Sequence, residues 1–221
     1  MGYEDYGFPD GKRYNSFVGY FKRRYGERLQ KIVLDAGFTC PNRDGTKGTG
    51  GCIFCSAAGS GDLASDIPSQ IQLLSDKWPN AEYLAYFQSH TNTYAPVEQL
   101  RKQYSEALEH PGVKGLVIAT RPDCITEDIV KLLASYKNRL HVFVELGLQT
   151  SNDETEKLIN RGYNSNVFTE AVNLLNKYDI EVITHIMVGL PNESFEEIKQ
   201  RAMRRFKGEF ANMQMFDETE L

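Results

Sequence analysis

The chain has 221 residues, 41% hydrophobic and 25% charged, which is the composition of one globular domain with a real core. No apolar run reaches membrane-spanning length. The polar, aromatic start "MGYEDYGFPDGKRYNSF" reads as no signal peptide, and Tyr6 stands where a myristoylation signal needs Ser or Thr, so a cytoplasmic protein with no membrane partner is expected. Net charge is −5, and three of the four cysteines fall between Cys40 and Cys55, a pattern that excludes a secreted disulfide framework and points to a metal or redox site.

Charge is unevenly spread. Residues 11–31 hold Lys12, Arg13, Lys22, Arg23, Arg24, Arg28 and Lys31 against the single acid Glu27, a net +6 that leaves −11 for the rest. Tyr14, Phe17, Tyr20, Phe21 and Tyr25 are interleaved with these cations. Cations track a phosphate backbone and aromatic faces stack on unpaired bases, so residues 1–31 are a candidate nucleic-acid arm preceding a domain over 32–221. The competing reading is an amphipathic helix that docks Phe17, Val18 and Phe21 on the domain.

Strand and helix patterns then alternate. Strands are expected over 30–38, 82–88, 113–120, 140–148 and 181–190, each nearly continuously apolar, as buried parallel strands are. Helices are expected over 66–78, 95–110, 126–136, 152–161 and 166–178, with Pro96 near the start of the second and Thr126 capping the third. This alternation is the signature of an α/β fold with right-handed crossovers and a parallel sheet or barrel.

In such folds the reactive face lies at the carboxyl ends of the strands. The chain places there the cysteine loop, "QSHTNTY" from Gln88, "TRPD" from Thr120, then Glu145, Gln149 and Thr150, and last His185 before "GLPNES". Asn152, Asn192 and Asp123 are each explicable as caps or turn residues, but that reading accounts poorly for five polar strand ends together.

The loop "CPNRDGTKGTGGCIFC" puts eleven residues between Cys40 and Cys52, and two between Cys52 and Cys55. A structural zinc site wants four ligands and would recruit His90 or Cys124. A Cys52/Cys55 redox pair leaves Cys40 idle. A four-iron cluster on three thiolates keeps one iron open. Spacing alone leaves all three readings standing.

Taken with "VKGLVIATRPDC", "VELGLQTSNDETEKLINRGY" and "HIMVGLPNES", the loop resembles the radical S-adenosylmethionine (SAM) superfamily, and within it the YtqA/YhcC branch related to the catalytic subunit of Elongator. The resemblance covers about residues 14–194. It implies a partial (β/α)6 barrel of parallel strands and a [4Fe–4S] cluster on Cys40, Cys52 and Cys55. It also implies SAM on the open iron, an external one-electron reductant such as flavodoxin or ferredoxin, and a 5′-deoxyadenosyl radical that abstracts hydrogen from substrate. The cofactor-binding residues it implies are Phe54, Gln88, Glu145, Gln149, Arg161 and His185, with Arg161 paired to the SAM carboxylate. Cys124 is left as a buried small hydrophobe.

Two features depart from the family pattern. A Gly-Gly-Glu-type motif after strand two is replaced by "FQSHTNTY", so Gln88 and neighbouring carbonyls are expected to take over its hold on the SAM amino group. The stretch "QRAMRRFKGEFANMQMFDETEL" does not resemble the usual continuation and offers only "NMQMF" as a poor sixth strand. Kinship with Elongator implies tRNA as partner, at the side chain of a wobble uridine, which the basic arm would suit. The alternatives are a small-molecule radical SAM enzyme and a non-catalytic zinc- or RNA-binding module.

Overall fold

A computed structural model of the chain describes residues 16–199, except Glu27, Asp76, Asn80 and Glu197. Lys12, Arg13 and Tyr14 of the basic arm, and the expected sixth strand "NMQMF", lie outside the described residues.

Helix α1 (Phe17–Tyr25) precedes the sheet; β1 (Leu29–Leu34), β2 (Glu82–Phe87), β3 (Val113–Thr120), β4 (His141–Gln149) and β5 (Glu181–Ile186) form it. Between strands run α2 (Ile67–Ser75), α3 (Val97–Leu108), α4 (Glu127–Lys137), α5 (Asp153–Leu158) and α6 (Ser165–Lys177). All four strand pairings are parallel, in the sequential order β1-β2-β3-β4-β5, and the sheet is not closed. This is the α/β partial barrel expected, with five strands among the described residues.

Local chemistry sets the element ends. Ser16 caps α1 by accepting from Gly19 N, and Gly26, at φ +75°, lets the chain turn out of the helix and return N–H to Lys22 O. Thr126 caps α4, Asn152 caps α5 and Asn164 caps α6. Two strands are shorter than their apolar patterns. β1 stops at Leu34, where Asp35 turns the chain by accepting from Gly37 N. β5 stops at Ile186, and Met187 N donates to Gln149 O beyond it.

The sheet has two differently filled faces, because side chains alternate along each strand. One face carries Ile32, Leu34, Ala85, Phe87, Leu116, Ile118, Val142, Val144 and Leu146, buried beneath helices α2, α3, α4 and α6. The other face is the barrel interior. It carries Leu29, Leu84, Tyr86, Val117 and Phe143, and α1 packs into it through the fully buried Phe21. Phe21 lies 5.1 Å from Phe143 and 5.4 Å from His141, ring centre to ring centre. Tyr20 and Tyr25 both donate hydroxyls to Glu181, the first residue of β5. Helix α1 therefore plugs the amino-terminal end of the barrel and leaves the carboxyl-terminal end to the loops.

Candidate active site

The cysteine loop is docked at the carboxyl-terminal mouth by a dense set of main-chain bonds. Ile53 N donates to Ile159 O at 3.1 Å and Gly51 N to Asn42 O at 2.9 Å. Two asparagines clasp reciprocally: Asn42 Nδ2 donates to Asn160 O, and Asn160 Nδ2 to Gly51 O, each at 2.7 Å. Arg43 folds back across the loop and donates to Cys55 O and Ala57 O, both at 3.1 Å, and to Ser56 O. Gly51, at φ +76°, lies against that guanidinium, where an added Cβ would come within 2.9 Å of Nε.

The loop holds Cys40, Cys52 and Cys55 as half-buried free thiols. Burial pushes the Cys52 thiol up, and Arg121 and an N–H from Asn42 pull it back down. Phe54, between the paired cysteines, is half-buried. Cys124 is set apart: it is buried, its Sγ lies 3.8 Å from Asp123 Oδ1, and burial followed by Asp123 pushes its thiol up to about 12. Among the described residues, no three His, Cys, Asp or Glu side chains are gathered closely enough to hold a single metal ion. Three thiols in one loop beside a cation and an amide donor suit a cluster instead, where each thiolate binds its own iron.

The segment after β2 lies beside this loop. Ser89, Thr91, Asn92 and Thr93 are buried, and His90 N donates to Gly59 O at 2.9 Å. An added Cβ on Gly59 would come within 2.5 Å of the His90 ring, and one on Gly61 within 1.7 Å of Ser89 Oγ. Ser89 Oγ, His90 Nδ1, Thr91 Oγ1 and Asn92 Oδ1 are buried without a hydrogen-bond partner. Orphaned polar atoms of this kind call for a missing partner, and the ammonium and hydroxyls of SAM have that chemistry. Gln88 opens the segment, half-buried, with its N–H on Leu34 O.

The other expected residues divide. Gln149 closes β4 at φ +60° and His185 lies one residue before the end of β5, so both are at the mouth. Glu145 is deeper, in the barrel interior, only 3% exposed. Its carboxylate is ion-paired with Lys31 and lies 2.9 Å from His185 Nε2. These partners outweigh burial and hold Glu145 down at about 2. The Glu145 carboxylate is thus occupied by the Lys31 ammonium and the His185 imidazole, and it reaches the mouth through His185.

Arg161 is equally occupied by protein groups. Its guanidinium is 0% exposed and already surrounded by acceptors: Tyr163 O at 3.0 Å and 2.8 Å, Thr150 O at 2.8 Å, Leu148 O, and Glu156 at 3.0 Å. It holds the β4–α5 turn together, and a SAM carboxylate would have to compete with those carbonyls. The basic segment is divided between interior and surface. Phe17, Tyr20, Phe21 and Tyr25 belong to the interior cluster, and Lys31 points inward over the Phe17 and Tyr86 rings at 4.5 Å and 4.3 Å. Lys22, Arg23, Arg24 and Arg28 remain on the surface.

Sequence reasoning missed a polar clamp. Arg121 donates to both oxygens of Asp123 at 2.9 Å and to Arg161 O at 3.0 Å, while Lys47 from the cysteine loop reaches Asp123 Oδ2 at 2.8 Å. The "TRPD" turn therefore ties the cysteine loop to β3. Its signal was the Arg-Pro-Asp run itself, since a strand end ordinarily needs no buried ion pair.

Comparison with known proteins settles the family. The profile of the radical SAM superfamily matches residues 42–203. The chain belongs to the radical SAM superfamily. Family members use a [4Fe–4S] cluster and SAM. The chain is 45% identical over 199 residues to the uncharacterized protein YtqA of Bacillus subtilis, covering 86% of this chain and 62% of that one. It is 39% identical over 201 residues to protein YhcC of Escherichia coli, covering 87% and 64%. The chain thus spans under two-thirds of the length of these relatives. A shorter match, 38% identical over 97 residues, joins it to a tRNA uridine(34) acetyltransferase of Dehalococcoides mccartyi, covering 43% of this chain and 20% of that one. Elongator complex protein 3 of Drosophila melanogaster matches at 30% over 94 residues, 42% and 16% of the two chains. In fold, the chain superposes on coproporphyrinogen III oxidase HemN of Escherichia coli with a TM-score of 0.52 at 17% identity, over 82% of this chain and 42% of that one.

Proposed function

We propose that this chain carries the radical-generating site of a tRNA-modifying enzyme, with Cys40, Cys52 and Cys55 as the three ligands of a [4Fe–4S] cluster and the barrel mouth as the SAM site. When bound, the cluster and SAM supply reductive sulfonium cleavage and a 5′-deoxyadenosyl radical. The carrying observation is the cysteine loop itself: three half-buried thiols held against the α5–α6 turn by the Asn42–Asn160 clasp, beside orphaned polar atoms of Ser89 to Asn92.

The protein's own residues divide the work there. The loop fixes the thiols at the mouth. The segment from Gln88 to Asn92 offers oxygen acceptors for the SAM ammonium and hydroxyls. Gln149 and His185, at the ends of neighbouring strands, line the same opening, and Glu145 orients His185 through Nε2. Helix α1 closes the opposite end and keeps water out of the interior, which a reactive radical needs. In this reading Phe54, half-buried between the paired cysteines, would pack beside the cluster, and Arg161 supports the turn on which the loop rests.

The tRNA assignment is supported by the partial similarity to a tRNA uridine(34) acetyltransferase and by the exposed Lys22, Arg23, Arg24 and Arg28. One observation favours a small-molecule substrate instead: of the interleaved aromatics described, Phe21 is buried and Phe17, Tyr20 and Tyr25 pack against the interior cluster, which leaves less of their faces for stacking on bases. Anaerobic incubation with reductant, SAM and total tRNA, followed by nucleoside analysis, separates the two. A new nucleoside at the wobble position is the expected result. SAM cleavage with unchanged tRNA would sink the tRNA assignment and leave the radical site standing. Absence of both iron binding and SAM cleavage would sink the whole reading.

A further inference from the structure

Asn42 has no role in the expected ligand set, yet it sits at the centre of the cysteine loop. It is 2% exposed. Its amide is oriented by Asn160 O, which accepts from Nδ2 at 2.7 Å; the same nitrogen lies 3.7 Å from Cys52 Sγ, within reach of an N–H···S hydrogen bond. Two glycines make room for it. An added Cβ on Gly48 would come within 2.3 Å of Asn42 Oδ1, and one on Gly162, at φ +79°, within 3.3 Å. The loop from Cys40 to Cys52 and the α5–α6 turn are thus both shaped around one carboxamide aimed at one sulfur.

Arg121 stands on the same side. It is 7% exposed, and its guanidinium lies 4.7 Å from the centre of the Tyr163 ring, whose hydroxyl donates to Gly147 O at 2.6 Å. Arg161 lies 4.5 Å from the centre of the same ring. Asp123 balances Arg121, and Lys47 returns a positive charge, so the Lys47–Asp123–Arg121 group is net positive beside the cysteines. The Asn42–Asn160 clasp and Arg43 also anchor the loop, so beyond its tie to β3 this group adds a buried positive charge beside the cysteines.

We infer that Asn42 and Arg121 are positioning residues that set the reduction potential of the cluster. Asn42 donates an N–H to the Cys52 sulfur, and Arg121 supplies positive charge near it. Reduction adds one negative charge to the cluster, so an N–H donor on a ligand sulfur and a nearby cation both stabilise the reduced form and raise the potential. The inference rests on the three-cysteine ligation proposed above.

The test is a redox titration of the reconstituted protein, followed by electron paramagnetic resonance in the absence of SAM, with iron content and apo-protein melting measured alongside. Asn42→Asp keeps an oxygen between Gly48 and Gly162 but replaces the donor with a negative charge. Arg121→Met removes the cation, and Arg121→Lys keeps it. Wild-type protein that fails to bind iron would defeat the ligation itself, a result distinct from any outcome for the variants. In cluster-loaded Asn42→Asp, the reduced-to-oxidised ratio at the wild-type midpoint should fall about tenfold, about 59 mV for one electron. Arg121→Met should shift in the same direction, and Arg121→Lys should recover most of the difference. An unchanged midpoint in cluster-loaded Asn42→Asp or Arg121→Met would overturn the inference and leave these residues as loop anchors. If Arg121→Met does not fold, Asn42→Asp and Asn42→Ser carry the same test, and matching wild-type midpoints in both overturn it.

Discussion

The two ends of the barrel are built on opposite principles. At the amino-terminal end, α1 drives the fully buried Phe21 into an aromatic cluster with Phe143 and the partly buried Phe17, and the hydroxyls of Tyr20 and Tyr25 meet Glu181. At the carboxyl-terminal end little apolar packing holds the cysteine loop. It is held by glycine turns, paired asparagines and guanidinium groups, and the neighbouring segment leaves Ser89 Oγ, His90 Nδ1, Thr91 Oγ1 and Asn92 Oδ1 without partners. One end gains stability from burial. The other keeps polar capacity open for something not made of protein, as the loop end of a barrel does.

The comparison is broken most severely at the cysteines. Replacing Cys40, Cys52 or Cys55 singly with Ala should abolish iron binding, measured after anaerobic reconstitution, and should hardly change the melting temperature of the apo-protein. Cys124→Ala should leave iron binding intact, since that thiol is buried and committed to packing. A Cys124→Ala protein that cannot take up iron would reassign the ligands.

At the other end the pattern should invert. Phe21→Ala removes a fully buried aromatic side chain and should cost about 3–5 kcal/mol of unfolding free energy in urea titrations. The fraction that stays folded should still load iron. A loss under about 1 kcal/mol would show that α1 is not the floor of the barrel.

Arg161 sharpens the boundary between the ends. Arg161→Ala leaves buried carbonyls of Leu148, Thr150 and Tyr163 without donors, each at roughly 1–3 kcal/mol. The apo-protein should therefore lose stability as well as SAM affinity. Arg161→Lys should rescue only in part, because an ammonium lacks the planar fork. Weaker SAM binding with unchanged apo stability would return Arg161 to a purely ligand-binding role.

The Glu145 network predicts a pH dependence of stability. Its carboxyl is held at about 2, below its usual 4.5, by His185 and Lys31, with Tyr86 also alongside. A depressed folded value stabilises the fold above pH 4.5, and that contribution is lost as pH falls towards 2. Glu145→Gln should flatten this acid limb of the urea midpoint against pH. An identical acid limb in wild type and variant would contradict the assigned pairing.

The smallest effect is expected at the surface. Neutralising Arg23 and Arg24 together should weaken tRNA binding and reduce its salt slope by roughly two, with little change in SAM cleavage without substrate. Unchanged tRNA affinity would leave α1 as a barrel plug alone.

Much of this was legible in the sequence. Buried parallel strands are nearly continuously apolar, so all five strand positions could be read, and β3 matched to the residue. The ends of β1 and β5 could not, because Ala36 to Phe38 and Met187 to Leu190 stay apolar while turn geometry takes the chain out of the sheet. The cysteine loop was legible from its spacing, and its family from several motifs at once. Less legible was which way a side chain points. Lys31 reads as one more cation of a basic arm, yet alternation along β1 turns it inward to Glu145. Arg161 reads as a ligand residue, yet the β4–α5 turn surrounds it with carbonyls. Asn42 has no pattern around it in the chain, since Asn160 and the two glycines that shape its setting come together only on folding.

The central claim is that three cysteines of this loop hold a four-iron cluster whose open iron takes SAM. The most direct measurement is electron paramagnetic resonance of the reconstituted, reduced protein with and without SAM. The account predicts about four irons per chain and a reduced-cluster signal that changes on adding SAM. A cluster signal indifferent to SAM, or a reconstituted protein that binds no iron, would contradict it.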